Sequence, residues 1–285
     1  MKAQIISLKG EKIKEIELPK VFETEYFPEL IKRAVLSIQS NSFQKKGADV
    51  WSGRKTTAEY IGIREPPTPK RSINTGMARR PRTKNRRYLL YGKVAGISGA
   101  VKGPKAFAPL TEKKIKEKIN KKEKKKAFES AVAATASKDL VKKRGHKFEA
   151  ELPLIIENTF EKIKKTKEVS EVLKTLKLWE DVERAKKRKI IRAGKGKRRG
   201  RKYKKAKSIL IVTGEKSELK KSSRNIEGIE VINSRNLNTK LLAPGTVAGR
   251  LTLWTENAIK ELSERNEWIK RIWNHCSSAD FREIS

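Results

Sequence analysis

ILIVT, Ile209–Thr213, is the stretch whose reading decides the fold. Four consecutive apolar residues between Ser208 and Gly214 read as a short strand. Similar runs lie on either side: Leu152–Ile156 upstream, Ile229–Ile232 and Leu251–Trp254 downstream. Helical patterns separate them, and the last three are roughly 20 residues apart. Strands alternating with helices imply a parallel sheet covered by helices.

The N-terminal part supplies more of the same. Ala3–Leu8 and Ile13–Leu18 read as strands, and Pro28–Gln39 as a helix with Leu30, Ile31, Ala34, Val35 and Ile38 on one face. A long helix is expected from a Thr111 cap to Ser137, with Glu112 in its first turn. It would carry nine lysines between Lys113 and Lys126 and then the alanines of Ala131–Ala136. Leu140 and Val141 fit a short helix that Gly145 ends. A closing helix starts at Thr255, with Trp254 and Ile259 spaced as a hydrophobic staple. The reading is an α/β fold: a helix-covered, mainly parallel sheet, Rossmann-like in topology but without a nucleotide fingerprint, bearing a long extended basic loop.

The chain has 285 residues and a formal net charge of +37. Pro66–Thr111 holds 11 basic residues and no acid, and Arg184–Lys207 holds 15 and no acid. The two segments therefore supply 26 of the 37 charges on 70 residues. Elsewhere the composition is that of an ordinary globular protein. Charge so concentrated attracts a polyanion, and nucleic acid fits better than an acidic small substrate. No apolar run reaches the ~20 residues of a spanning helix, and Met1–Gly10 lacks the apolar core of a signal peptide. Cys276 is the only cysteine, so neither an intramolecular disulfide nor a cysteine-rich zinc site is expected. These features imply a cytoplasmic, reduced setting, with no membrane and no homo-oligomer.

Four regions follow. Residues 1–45 and 110–275 make a discontinuous α/β domain. Residues 46–109 are an extended loop, 186–207 a basic excursion within the domain, and 276–285 a tail. The long loop contains Pro66, Pro67, Pro69, Pro81, Pro104 and Pro109, and no helical or strand period survives in it. One reading is a disordered basic linker. The other rests on Trp51, Tyr60, Tyr88, Tyr91 and Phe107, aromatics among cations that suit base stacking and phosphate pairing in RNA. In the second segment, RAGKGKRRGRKY at Arg192–Tyr203, glycines let backbone amides approach phosphates that the cations neutralise. A solvated charge run or a nuclear-localisation-like patch are its plainer readings.

Chemistry beyond binding finds little support. No glycine satisfies the G-x-x-x-x-G-K-[ST] spacing of a P-loop, and after Gly194 and Gly196 position 199 is Arg, which breaks the dinucleotide fingerprint. His146 and His275 are the only histidines, and His275–Cys276 precedes a polar tail. Asp139, Asp181 and Asp280 lie in lysine-rich or helical settings where a solvated surface is expected. No catalytic residue, metal or cofactor is assigned. Candidate RNA-binding residues are Arg54, Lys55, Lys70, Arg71, Arg79, Arg80, Arg82, Lys84, Arg86, Arg87, Lys102 and Lys105 in the loop. In the second segment they are Arg192, Lys195, Lys197, Arg198, Arg199, Arg201, Lys202 and Tyr203. Arg79–Arg87 favours arginine, whose planar fork bridges phosphates and stacks on bases.

Five stretches in order carry a family resemblance: WSGRKTTAEYIG (Trp51–Gly62), INKKEKKKAFESAVAATAS (Ile119–Ser137), KKRGH (Lys142–His146), IRAGKGKRRGRKYKKAKSILIV (Ile191–Val212) and LLAPGTVAGRLTLWTENAI (Leu241–Ile259). The chain resembles the universal large-subunit ribosomal protein L-four family, in its archaeal and eukaryotic branch. The resemblance implies a structural, non-enzymatic role in the large subunit. An α/β domain would sit on the outside, and the loop would thread into large-subunit ribosomal RNA. Its tip would help narrow the nascent-peptide exit tunnel beside a second loop-bearing ribosomal protein. It implies that Arg54, Lys55, Thr56 and Thr57 begin that loop, and that Gly76, Met77, Ala78, Arg79 and Arg80 form its tip. Ile63–Thr75 departs from the family's shorter, glycine-rich passage. The implied partners are large-subunit RNA, neighbouring ribosomal proteins and, in passing, nascent chains. The competing readings are a free-standing nucleic-acid-binding regulator, for which no helix-turn-helix, zinc finger or RNA-recognition motif is evident, and an RNA-modifying enzyme.

Overall fold

Alternation of side chains along a few very short strands sets the architecture of the computed structural model, which describes residues 1–62, 76, 78–84, 89, 91–214 and 217–264. The chain opens with the antiparallel pair β1 (Lys2–Ile6) and β2 (Lys12–Glu17) and helix α1 (Pro28–Asn41). A ribbon follows, β3 (Ala58–Glu59) and β4 (Arg82–Thr83). Next come α2 (Lys121–Ala136), α3 (Lys138–Lys143), β5 (Leu154–Ile156), α4 (Thr166–Thr175) and α5 (Trp179–Lys187). A second ribbon pairs β6 (Ile190–Ile191) with β7 (Tyr203–Lys204). The chain continues through β8 (Leu210–Thr213), α6 (Leu219–Ser223), β9 (Glu230–Asn233), α7 (Thr239–Leu242), β10 (Thr252–Thr255) and α8 (256–264).

Six strands form the central sheet in the order β2-β1-β5-β10-β8-β9, and only the β1–β2 pair is antiparallel. The central strands β5, β8 and β10 are buried at every position. Burial on both faces is why they read as apolar runs rather than as alternating sequence. Period-two geometry then sends neighbours to opposite layers. Ile155, Leu210, Val212 and Trp254 face a layer containing Ile31 and Val35 of α1 and Ala131 and Ala134 of α2. Leu154, Ile156, Ile211 and Leu253 face Val169 and Leu173 of α4 and Val182 of α5. The helix-covered, mainly parallel α/β fold expected from the sequence is the fold observed.

Two details of packing explain the residue choice. The alanines of α2 let it lie close to the sheet layer, where Ser130 Oγ also accepts the Phe27 amide hydrogen at 2.8 Å. Trp254 is fully buried and meets Phe22 edge to face, with centroids 5.5 Å apart. Thr255 caps α8 by accepting the Ala258 amide at 3.3 Å, and Trp254 and Ile259 both enter the core as a staple would place them.

The long helix expected from Thr111 is shorter than that. It begins at Lys121, so Lys113, Lys114, Lys116 and Lys118 lie outside it. Lysines four apart, such as Lys114 with Lys118 and Lys118 with Lys122, repel one another on a helix. In addition Glu117 is held by two serines of α1: Ser37 Oγ donates to its carbonyl at 2.8 Å, and Ser40 Oγ accepts its amide at 3.0 Å. Those bonds give the backbone a non-helical alternative.

Met1–Asn41 and the described residues from Glu117 onward form one compact unit, and Ser42–Lys116 a second. Within the second unit the described residues have more order than a strandless loop. The Ala48 amide donates to Pro109 at 2.9 Å and closes its base. Gly53, at φ +81°, lies so close to Gly103 that an added Cβ would sit 2.4 Å from the Gly103 carbonyl carbon. β4 also meets the stretch at 92–95: the Thr83 amide donates to Lys93 at 3.0 Å and the Ala95 amide to Pro81 at 3.2 Å. Ile63–Thr75, Met77, Arg86, Arg87, Tyr88, His275, Cys276 and Asp280, each given an expectation above, lie outside the described residues.

Replacing Trp254 with Ala should cost ~3–5 kcal/mol of stability, since both a large buried surface and the Phe22 contact are lost. Equilibrium urea unfolding measures it. A loss below ~1 kcal/mol would show that the sheet layer does not depend on this ring.

Candidate nucleic-acid interface

The second basic segment is a hairpin. β6 and β7 pair antiparallel, and the Arg192 amide donates to Lys202 at 2.8 Å. Between them Lys195–Arg199 makes one 3-10 turn, bounded by Gly194 at φ +76° and Gly200 at φ +78°. Only glycine adopts that conformation without strain, so the G-K-G-K-R-R-G spacing is the sequence's way of turning a cationic tip tightly. The Gly200 and Arg201 amides both donate to Gly196, closing the turn.

Charge is graded along this hairpin. At its root, Lys189 and Lys205 pair with Glu227 at 3.8 and 2.9 Å, and Lys207 pairs with Glu230. Lys205 foremost, with Lys189 and Lys186, holds the Glu227 carboxyl below its usual range. Toward the tip Arg192, Lys195, Lys197, Arg198, Arg199, Arg201 and Lys202 are exposed and meet no carboxylate among the described residues. Tyr203, 46% exposed, is flanked by Lys189 and Lys202, whose ammonium groups sit 4.9 and 5.5 Å from its ring centre. The tip offers cations in excess of any internal need.

The root is fixed by a buried carboxylate that the sequence reading had placed on a solvated surface. Asp181 is fully buried on α5. Its oxygens accept from Arg184 Nε at 2.7 Å, Ser208 Oγ at 2.7 Å, the Lys147 amide at 3.0 Å and His146 Nδ1 at 3.0 Å. Arg184 also donates to the Lys207 carbonyl at 3.0 Å. Both ends of the hairpin segment therefore close on one anion. Burial works to raise the Asp181 carboxyl, but the hydrogen bonds from His146, Arg184 and Ser208 outweigh it and hold it well below the usual range. Burial lowers His146, against the pull of Asp181, and so favours the neutral ring; because an ionised carboxylate only accepts, the bond to Asp181 calls for a proton on Nδ1. Histidine, serine and aspartate meet here, but the serine donates to the aspartate and not to the histidine. That wiring activates no nucleophile.

Two further arginines complete the root. Arg250 is fully buried, with Nε on the Ser208 carbonyl at 2.9 Å and Nη1 on Glu230 at 2.6 Å. Arg144 donates to the Pro244 carbonyl at 2.6 Å and to Val247. Burial, then the nearby positive Arg250 and Arg184, lower its guanidinium to about 10. Gly249, at φ +84°, lets this strand entrance lie against Leu140, whose carbonyl a Cβ would meet at 2.8 Å. KKRGH and the AGR of LLAPGTVAGRLTLWTENAI, both among the stretches that carry the family resemblance, supply Arg144, His146 and Arg250 to this cluster. Asp181 itself, inside WEDVERAKK, carried no signal.

In the loop unit Arg54, Arg79, Arg80, Lys102 and Lys105 are exposed, as are Gly76 and Ala78. Lys55 is exposed too but bonded to Asp49 at 2.5 Å. Arg82 is half-buried and structural, donating to the Gly92 carbonyl at 2.9 Å and to Ala78 at 3.1 Å. Lys84 is half-buried. Lys70, Arg71, Met77, Arg86 and Arg87 lie outside the described residues.

The carboxyl ends of β5, β8 and β10 are where doubly wound sheets hold ligands. Here Glu161, buried after β5, fills that end. It accepts the Gly214 amide at 2.8 Å and the Thr255 hydroxyl at 2.6 Å. The groups that would face a phosphate are taken by the chain's own carboxylate. Among the described residues no helix is long and apolar enough to cross a membrane.

A sheet closed at its nucleotide end and equipped with an unneutralised cationic hairpin defines a polyanion-binding scaffold. The comparisons with known proteins make it particular. Residues 16–265 match the model of the Ribosomal protein L4/L1 family. The chain is 48% identical over 268 residues to the large ribosomal subunit protein uL4 of Methanocaldococcus jannaschii, covering 94% of this chain and 100% of that one. It is 46% identical to the protein of that name from Methanoculleus marisnigri and 45% to that from Archaeoglobus fulgidus, each over 93% of this chain and 99% of the relative. The chain belongs to the Ribosomal protein L4/L1 family, in its archaeal and eukaryotic branch, and is not an enzyme.

Acid should weaken the root in two stages. Both His146 and Asp181 bind protons more readily unfolded than folded, so unfolding takes protons up and stability falls as pH falls. The His146 contribution is present above its ordinary value of 6.5 and is lost as pH drops from there. The Asp181 contribution begins to be lost only as pH nears that carboxyl's ordinary 3.8. Urea midpoints for wild type and His146→Gln between pH 7.5 and 3 test this, the variant losing the first slope. Identical profiles would deny His146 its part. Asp181→Ala should cost ~3–5 kcal/mol at pH 7, because Arg184 loses its buried counterion.

Proposed function

We propose that this chain is a structural constituent of the large ribosomal subunit that acts by binding ribosomal RNA through two basic projections. The observation that carries the reading is the hairpin tip: several cations, no carboxylate partner among the described residues, and a root locked by Asp181. Such a tip is self-repelling in isolation and is stabilised when phosphates replace its counterions. The lysines before and at the start of α2 act similarly. Lys121, Lys122 and Lys124 oppose the positive end of the helix dipole, a local cost that a bound polyanion removes.

Residues 46–109 are, in this proposal, the loop that enters the RNA, with Gly76–Arg80 near the wall of the nascent-peptide exit tunnel. The sheet unit stays outside and meets neighbouring ribosomal proteins, and the subunit places the chain in the cytoplasm. Family membership and the acid-free composition support this reading. So does the exposure of Arg79 and Arg80.

Replacing Arg198, Arg199, Arg201 and Lys202 with Ala should reduce the slope of log K against log salt for large-subunit RNA by roughly 3–4. An unchanged slope would make the hairpin a solvated tail. Full-length chain should co-sediment with large subunits through a high-salt wash, whereas a free-standing regulator would be removed. Subunits carrying Arg79→Ala with Arg80→Ala should assemble yet change their response to nascent sequences that stall in the tunnel. Unaltered stalling would remove the tip from the tunnel wall.

A further inference from the structure

The loop unit contains a hollow of about 660 Å³ that the reading of its cations does not explain. A Cβ on Gly53 would meet the Gly103 backbone and one on Gly103 would meet the Ile97 carbonyl, so the chain packs tightly next to Lys102, which lines the hollow with Lys55. Lys93 joins them, while Val94, Ala95 and Tyr91 give the interior an apolar lining. Tyr91 is 45% exposed, so one side of its ring is available to a ligand.

Two further facts mark the rim as preformed. The turn leading to Lys102 is stitched by hydrogen bonds, Ala100 to Ile97 at 3.2 Å and Gly103 to Ala100 at 3.0 Å. Lys102 itself stands at φ +60°, a left-handed conformation that lysine rarely adopts and that surrounding structure must hold in place. Among the described residues neither Lys93 nor Lys102 forms an ion pair, whereas Lys55 is steadied by Asp49. An apolar interior with an aromatic wall and free cations at the mouth matches one chemistry, a flat base carrying a phosphate.

We propose that this hollow seats a single unstacked nucleotide of the bound RNA, its base against Tyr91 and Ala95 and its phosphate on Lys93 and Lys102. The inference rests on the RNA-binding function above and adds to it a discrete subsite. Phosphate contacts fix the chain's position, while an inserted base fixes its register along the strand. The long loop would then be registered at its base by one captured nucleotide, apart from the diffuse attraction of its arginines.

The test uses full-length chain bound to large-subunit RNA. Ultraviolet cross-linking followed by mass spectrometry should find a nucleotide on Tyr91. Tyr91→Ala, and Ala95→Leu, which fills the hollow, should each weaken binding at least about five-fold. Tyr91→Ala should leave the salt slope unchanged, whereas Ala95→Leu, which also displaces the phosphate from Lys93 and Lys102, should lower it by about 1–2; Tyr91→Phe should restore affinity. Thermal unfolding midpoints show whether the variants fold, and if they do not, the wild-type cross-link alone decides. Failure of wild type to bind RNA would overturn the binding function and the subsite with it. Wild-type binding with no Tyr91 cross-link, or with folded variants that bind as wild type, would overturn the subsite alone.

Discussion

A fully buried aspartate holds the cationic side of this protein in shape. The chain carries +37 charges, and 15 of its basic residues lie between Arg184 and Lys207. Without a fixed counterion, the two ends of that segment would separate under their own repulsion. Asp181 takes hydrogen bonds from Arg184 on one side and Ser208 on the other, while Arg184 reaches the Lys207 carbonyl. Ser208 leads directly into the central strand β8, so the same anion couples the hairpin to the core sheet. Charge is neutralised at the root and left unneutralised at the tip. That gradient turns a basic composition into a directed interface.

The sheet serves this arrangement. In doubly wound enzymes the carboxyl ends of the strands stay open for a ligand. Glu161 closes that end here by accepting the Gly214 amide and the Thr255 hydroxyl. What remains is a sheet with apolar layers on both faces, from which the basic hairpin of 190–204 projects. A family of ribosomal proteins fits that division of labour, with the stable unit built from local packing and the binding segments built from charge, glycine and turns.

Most of the sheet was legible in the sequence because strands buried on both faces write themselves as unbroken apolar runs. ILIVT and its counterparts had no competing interpretation. The Thr111 helix start was misread because capping residues and lysine propensity favour a helix there, while the Ser37 and Ser40 bonds to Glu117 come from a helix 77 or more residues away. Asp181 was misread for a related reason. Its neighbours in sequence are charged and helical, and its burial depends on His146 and Ser208, 35 and 27 residues distant. The ribbon of the loop unit escaped notice because each strand is two residues long and pairs with a partner more than 20 residues away. Glycine in a basic loop looks like flexibility in sequence, and here it marks close approach.

The central claim is that the two basic projections are the surfaces this chain presents to ribosomal RNA. A density map of a native large subunit containing this chain tests it most directly. The account predicts Arg198, Arg199, Arg201 and Lys202 at the hairpin tip, with Arg79 and Arg80 of the loop, within hydrogen-bond reach of RNA phosphates or stacked on bases, while β2 at the sheet edge lies away from the RNA. A map with the hairpin tip facing solvent and the sheet face against RNA would contradict it.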